Sequence, residues 1–427
     1  MCALDYTRVT RQTPLASSSR MRLLHTSDWH LGHTLKEVTR EHEHRAFLAW
    51  LLEACVREAP DAVVITGDVF DSATPPASAE RMWFEWLAAA RRARPAMDIV
   101  AIAGNHDSPA RLGAASAVLR ELGVHVVGGL PRTADGALEL DRILIPVARG
   151  AGLVAAVPFL RPIDVPIDVE DPLAAVYAEV VAAARARRAA DQALIVLGHL
   201  YVAGAEVSIL SERRVSIGGQ ESASLRMFPD DIDYVALGHM HRAQRVGRDS
   251  IRYAGAPIAL ALDEAAYRHQ VVVVDFAGGR VAEIRALAVP QTIEILRVPK
   301  RGAAALPEVL GELAALPARP PGDDPARPYL EVVVALDRPE PRLRATIEAA
   351  LDGKLPRLVM LHAETTGDRA ALGDRTSARL AELDPRDVFV RCWLRDHAAP
   401  PEPDVIAAFD RLLAEVRGDA HDLAEAS

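Results

Sequence analysis

Cysteine is scarce: the 427-residue chain has three, Cys2, Cys55 and Cys392, odd in number and far apart. That spacing supports neither a disulfide framework nor a thiolate metal cage, and the simplest setting is a reducing, cytoplasmic one. Long apolar runs are missing too. The first twenty residues lack the apolar core of a secretory signal, and no stretch reaches the roughly 18 residues that span a bilayer. Neither export nor membrane association is expected. Excess positive charge is absent: 49 Lys and Arg stand against 59 Asp and Glu, a formal net charge of -10. This excludes a chain that grips nucleic acid by bulk positive charge, because such binding relies on Lys and Arg neutralising phosphates. A local phosphate site is not excluded. Aromatics make up only 5% of residues, so the core is expected to rest on Ala, Val and Leu. Hydrophobic residues at 50% and charged residues at 25% rule out disordered, collagen-like and coiled-coil chains.

The length suits two or three domains. Residues 1–20 are polar and patternless and read as a disordered extension, with Met21 the expected natural start. From residue 21 to about 276, short apolar runs alternate with helical stretches, the pattern of a layered α/β domain. Runs at 22–26, 62–66, 99–103, 193–197 and 234–237 suit buried strands. Residues 43–57 and 79–92 place Phe47, Leu51, Met82, Trp83 and Trp86 at helical spacing, as covering helices would. Residues 291–366 read as a small α+β domain, with strands at 292–298, 329–336 and 358–362 and helices near 304–316 and 342–351. The tail, 367–427, is expected to hold helices at 385–395 and 404–416. The second carries an apolar stripe that is either core or a partner surface.

Each of the five strand candidates ends in a polar cluster: Ser27-Asp28-Trp29-His30, Gly67-Asp68-Val69-Phe70-Asp71, Gly104-Asn105-His106-Asp107, Gly198-His199 and Gly238-His239-Met240-His241. In α/β sheets, functional groups gather beyond the carboxyl ends of the strands, so these clusters are expected to converge. Packing alone is a poor reason for five such endings, since Asp, Asn and His are costly to bury unpaired. Asp28, His30, Asp68, Asn105, His199, His239 and His241 supply carboxylate, amide and imidazole groups without thiolate. That donor set suits Mn²⁺, Mg²⁺, Fe²⁺ or Zn²⁺. Seven donors exceed the needs of one tetrahedral ion and point to two, with Asp68 the candidate bridge. His106 is the candidate for assisting the leaving oxygen, Asp107 for orienting His106, and Asp71 for an outer contact. His25, His125 and His269 read as core or surface residues, and His42 and His44 as solvated positions at a helix start.

In order and type, these motifs resemble those of the calcineurin-like metallophosphoesterases. The flanking runs Leu24-His25-Thr26-Ser27-Asp28-Trp29-His30-Leu31-Gly32 and Ala236-Leu237-Gly238-His239-Met240-His241-Arg242-Ala243-Gln244 are similar to the bacterial SbcD-type nuclease subunits within that superfamily. So are Pro75-Pro76, Ile217-Gly218-Gly219-Gln220 and Arg252-Tyr253-Ala254-Gly255-Ala256-Pro257. The resemblance spans residues 21–264. It implies a two-sheet sandwich flanked by helices over 21–290, a capping domain over 291–366, and C-terminal helices that dock on the coiled-coil base of an SbcC-type ATPase. It further implies two Mn²⁺ ions, one on Asp28, His30, Asp68 and His241 and the other on Asp68, Asn105, His199 and His239, with His106 catalytic. The implied activity, in DNA repair, recombination and replication, is cleavage of double-stranded DNA ends and hairpins by a dimer within a heterotetramer. At Asp71 archaeal and eukaryotic relatives carry histidine, so a catalytic role there does not transfer. A stand-alone phosphatase for small phosphate esters would need no chain beyond about residue 290. An inactive scaffold would lack some of the seven ligands, and none is missing.

Overall fold

The computed structural model describes residues 20–166, 169–206, 222–322 and 325–365, together with residues 389, 390, 393, 401, 402, 405, 406, 408 and 409. The chain forms two compact units, Met1–Leu336 with Glu340–Glu364, and Asp337–Pro339 with Thr365–Ser427.

In the first unit, two six-stranded sheets face each other. One has the spatial order Arg280–Ala288, Gln270–Ala277, Arg20–Thr26, Ala62–Thr66, Asp98–Ile102 and Val124–Val127; the other runs Gln244–Val246, Arg248–Tyr253, Tyr234–Gly238, Ala193–His199, Gly152–Ala156 and Leu144–Val147. The central pairings of both are parallel. Alternation along the strands explains the layering. Leu23, Ala62, Val64, Val100 and Ile102 point into a core shared with Val154, Ile195 and Leu197 of the second sheet. Their neighbours Leu24, Val63, Ile65 and Ile99 point the other way, onto α1 (Glu41–Glu58) and α2 (Ala77–Ala93) through Phe47, Leu51, Met82, Trp83 and Trp86. This is the expected sandwich with covering helices, and the five apolar runs lie at its centre.

Two edge strands, Gln244–Val246 and Arg280–Ala288, have no clear apolar run. Arg280–Ala288, for example, spaces Val281, Ile284 and Leu287 among charged and small residues, because as an edge strand it is partly exposed and pairs on one side only, with Gln270–Ala277. His42 is exposed as expected. His44 is a correction: it is fully buried, because Arg40 and Glu43 beside it are tied to Ala259 and Tyr329, which cover the first turn of α1. Burial pulls its imidazole down to about 3, the positive charge of Arg40 adding to the effect.

A four-stranded sheet, Ile295–Val298, Tyr329–Leu336, Ala304–Ala305 and Arg357–Thr365, follows within the same unit. Helices Leu306–Ala314 and Leu343–Ala350 cover it through Val309, Leu313 and Ile347. In the second unit, Phe389 stacks on Phe409 with ring centroids 4.3 Å apart. Most of both expected tail helices, and the motif Ile217-Gly218-Gly219-Gln220, lie outside the described residues.

Candidate metal centre

All five polar clusters meet at one end of the sandwich. The loop after Arg20–Thr26 runs beside the loop after Ala62–Thr66, stitched by Asp28 N–H to the Gly67 carbonyl (3.0 Å), His30 N–H to that of Asp68 (3.0 Å) and Leu31 N–H to that of Val69 (2.9 Å). Trp29 explains the spacing of Asp28 and His30. Its indole is buried edge-on against Phe47, Trp83 and Trp86 and donates to Thr26 Oγ1 at 2.9 Å, which turns its two neighbours toward the opposite side.

The backbone is held in an unfavourable region at these positions. Asp28 (φ 53°), His30 (φ 46°), Asp68 (φ 48°) and His239 (φ 97°) all have positive φ. Such conformations cost about 1–3 kcal/mol each in non-glycine residues and persist where function or packing holds them. Glycines admit the close approach. A Cβ on Gly104 would fall 2.1 Å from Asp68 Oδ1, and one on Gly67 (φ 93°) 2.2 Å from His199 Nδ1.

Six of the seven candidate ligands are buried, and Asn105 is partly so. Three clusters have donor atoms within 4.8 Å of one another: Asp28, His30 and His241; Asp28, Asp68 and His199; and His30, Asp71 and His106. Asp68 lies between the two halves, with Oδ2 3.5 Å from His30 Nε2 and 3.3 Å from His199 Nε2. Asn105 Oδ1 is 2.9 Å from both His199 Nε2 and His239 Nδ1. The two histidines of Gly238-His239-Met240-His241 therefore diverge: His239 reaches Asn105, while His241 lies beside His30, ring centroids 5.2 Å apart.

The donors fit divalent ions in three respects. First, His30, His199 and His241 each donate from Nδ1, to Asp71 Oδ1 (3.1 Å), the Thr66 carbonyl (2.8 Å) and Glu264 Oε1 (2.8 Å). Because these partners accept, each ring carries a proton on Nδ1 and turns Nε2 inward as the atom that would meet a metal. Second, His30 Nε2 is buried with no hydrogen-bond partner. Third, the charges are arranged to hold a cation. Burial would raise the Asp68 carboxyl, but the neighbouring His199 holds it well below the usual carboxylate range. Burial works against a charged His199, yet Asp68 and Asp28 lift it to about 9, so a metal would compete there with a proton. Burial raises Asp28, and burial followed by the positive charge of His199 lowers His239 to about 3.

His106 lines a cavity of about 580 Å³ together with His30, Asp71 and His241. Its Nδ1 donates to the Asp71 carbonyl at 2.8 Å, and its ring lies 4.8 Å from that of His30. Asp107 corrects the sequence reading. Instead of orienting His106, its carboxylate accepts from the backbone N–H groups of Val69 (3.1 Å), Phe70 (2.9 Å) and Gly104 (2.9 Å), clamping two of the ligand loops together. Burial and the nearby Asp68 push it up to about 6. Asp71 makes the expected outer contact, on His30. Glu264 was missed: it is fully buried, accepts from His241 and from Leu260 N–H (2.7 Å), and lies 23 residues beyond its histidine with no motif around it.

Residues 21–243 match the model of the calcineurin-like phosphoesterases, and residues 289–397 match one described as the type 5 capsule protein repressor C-terminal domain. The chain is 42% identical to the SbcD subunit of nuclease SbcCD from Rhodobacter capsulatus over 371 residues, 82% of this chain and 90% of that one. It is 31% identical to the SbcD subunit of Escherichia coli K12 over 388 residues, 87% of this chain and 92% of that one. With the SbcD subunit of Bacillus subtilis it shares 38% identity over 270 residues, 61% and 68% of the two chains. Matched in its site-bearing half by the phosphoesterase model and over most of its length by these nuclease subunits, the chain belongs to the SbcD family of calcineurin-like phosphoesterases, and is a metal-dependent hydrolase.

Proposed function

We propose that the chain hydrolyses phosphodiester bonds at double-stranded DNA ends and hairpins, in the cytoplasm, as a homodimer within a heterotetramer that an SbcC-type ATPase completes. The observation that supports this reading is the position of Asp68, its Oδ2 between a histidine of its own sheet and one of the facing sheet, where one carboxylate would serve two ions. Asp28, His30, Asp68 and His241 would hold one ion, and Asp68, Asn105, His199 and His239 the other, with Mn²⁺ favoured over Mg²⁺ by the four imidazoles. Bound there, two such ions make water acidic enough to supply hydroxide near neutral pH and offset charge on the phosphoryl oxygens.

The chain's own residues do the rest. His106, with Nδ1–H fixed on the Asp71 carbonyl, presents Nε2 as the atom that gives a proton to the leaving oxygen. Asp107 holds the Gly67 and Gly104 loops at a fixed separation, and Asp71, Thr66 and Glu264 hold the three imidazoles in the required tautomer. We divide the chain accordingly into an extension (1–20), a nuclease domain (21–290), a capping domain (291–366) and a partner-docking tail (367–427). Met360 and His362 of the capping strand line the same cavity as His106, which supports a role over the substrate. With a net charge of -10 the chain alone should bind duplex DNA weakly and with a shallow salt slope, the partner supplying the remaining grip.

The experiment is cleavage of a blunt or hairpin duplex with Mn²⁺, with and without the ATPase partner. Cleavage that depends on Mn²⁺ and rises with the partner is the expected result. Hydrolysis of small phosphate esters alone, with both duplexes left intact, would contradict the reading.

A further inference from the structure

Polar residues that the metal centre leaves unused converge on the first turn of α1. Arg40 is 1% exposed and Glu43 4%. They form a two-pronged ion pair, with Arg40 Nη2 donating to Glu43 Oε1 at 2.6 Å and Nε donating to the other oxygen. A buried pair of this kind is weak evidence for stability, because apolar packing of similar volume often does as well. Both partners reach further. Tyr329, on the central strand of the capping domain, donates its hydroxyl to Glu43 Oε2 at 2.7 Å, and Arg40 lies over the Tyr329 ring, 5.4 Å from its centroid. Arg40 Nη1 donates to the Ala259 carbonyl at 2.7 Å. The next residue, Leu260, donates its N–H to Glu264 Oε2, and the other oxygen of Glu264 accepts from His241 Nδ1.

A series of buried contacts thus joins the capping domain to one candidate ligand. We propose that Tyr329, Glu43 and Arg40 are positioning residues: they seat residues 259–264 against the capping domain and so hold Glu264 where it orients His241. The affinity of the Asp28, His30 and His241 cluster for a divalent ion then depends on how the capping domain is seated. The other half of the centre takes its anchors elsewhere, His199 from Thr66 and His239 from Asn105. The inference rests on the metal centre proposed above.

The test is titration of the full-length, metal-stripped protein with Mn²⁺, following the electron paramagnetic resonance signal of the free aqueous ion. Wild type is expected to take up two ions. Tyr329→Phe keeps the ring and removes only the hydroxyl; it should weaken one binding step about threefold and leave the other unchanged. Glu264→Ala should weaken that same step about 10–100-fold. In the double variant Tyr329→Phe should add nothing, since its route to His241 is already cut. Unaltered binding in Tyr329→Phe, equal weakening of both steps, or an additive loss in the double variant would overturn the relay and leave the metal centre standing. A wild type that takes up no Mn²⁺ would overturn both.

Discussion

The two sheets of the sandwich contribute unlike chemistry to the centre they share. The first brings Asp28, Asp68 and Asn105 with a single imidazole, His30; the second brings imidazoles only, His199, His239 and His241. The first sheet also carries most of the backbone strain, three of the four positive-φ candidates lying on its loops. The difference teaches that neither half is a site by itself. Two buried carboxylates close together repel, and burial alone would raise both; His199 from the facing sheet, more than His30 and His106 beside it, holds Asp68 below the usual carboxylate range. The packing of Val64, Val100 and Ile102 against Val154 and Ile195 is therefore a condition of the chemistry as well as of the fold.

The comparison can be sharpened by changing one side at a time. If His106 assists the leaving group and holds no ion, as proposed, His106→Ala on the first sheet's side should lower kcat about 10²–10⁴-fold while Mn²⁺ uptake stays at the wild-type level. Single-turnover cleavage beside a metal titration checks both halves of that statement. Asp107→Ala leaves the buried N–H groups of Val69, Phe70 and Gly104 without their acceptor. At about 1–3 kcal/mol for each orphaned donor, it should cost at least about 3 kcal/mol of stability and appear as a clear drop in Tm. An unchanged Tm would mean that Asp107 does not clamp the loops.

His44→Leu lies outside the centre and should have the smallest effect. Both ring nitrogens of His44 are buried without a partner, so an apolar replacement is expected to be neutral or mildly stabilising at pH 8. Its folded-state pKa, about 3, is below the unfolded value of about 6.5. The unfolded chain therefore binds the extra proton, and wild type loses stability as pH falls from about 6.5 toward 3. The advantage of His44→Leu should widen across that window; parallel Tm curves of metal-free protein would contradict the assignment.

Much of the centre was legible in the sequence because each candidate ligand follows a short apolar run, where an α/β strand must end. Local pattern fixes such places: Thr66-Gly67-Asp68 and Leu237-Gly238-His239 announce both the strand end and the group delivered there. What was not legible depends on residues far apart in the chain. Glu264 is one of two adjacent acids, Asp263 and Glu264, in a stretch with no motif, and its partner is known only once the loop after Tyr234–Gly238 folds back. His44 looked solvated because the residues that cover its turn, Ala259 and Tyr329, come more than two hundred positions later. Asp107 was adjacent to His106 in sequence, yet adjacent side chains diverge, and its carboxylate turns to backbone donors instead. The edge strands Gln244–Val246 and Arg280–Ala288 escaped notice because a strand with one wet face has no continuous apolar run.

The account stands most directly on the stoichiometry of metal uptake in Asp68→Asn. Wild type should bind two Mn²⁺ per chain, and the substitution, which removes the one carboxylate placed to serve both halves, should weaken both sites and abolish cleavage. Two ions bound as tightly as in wild type, or a wild type that saturates at one, would contradict it.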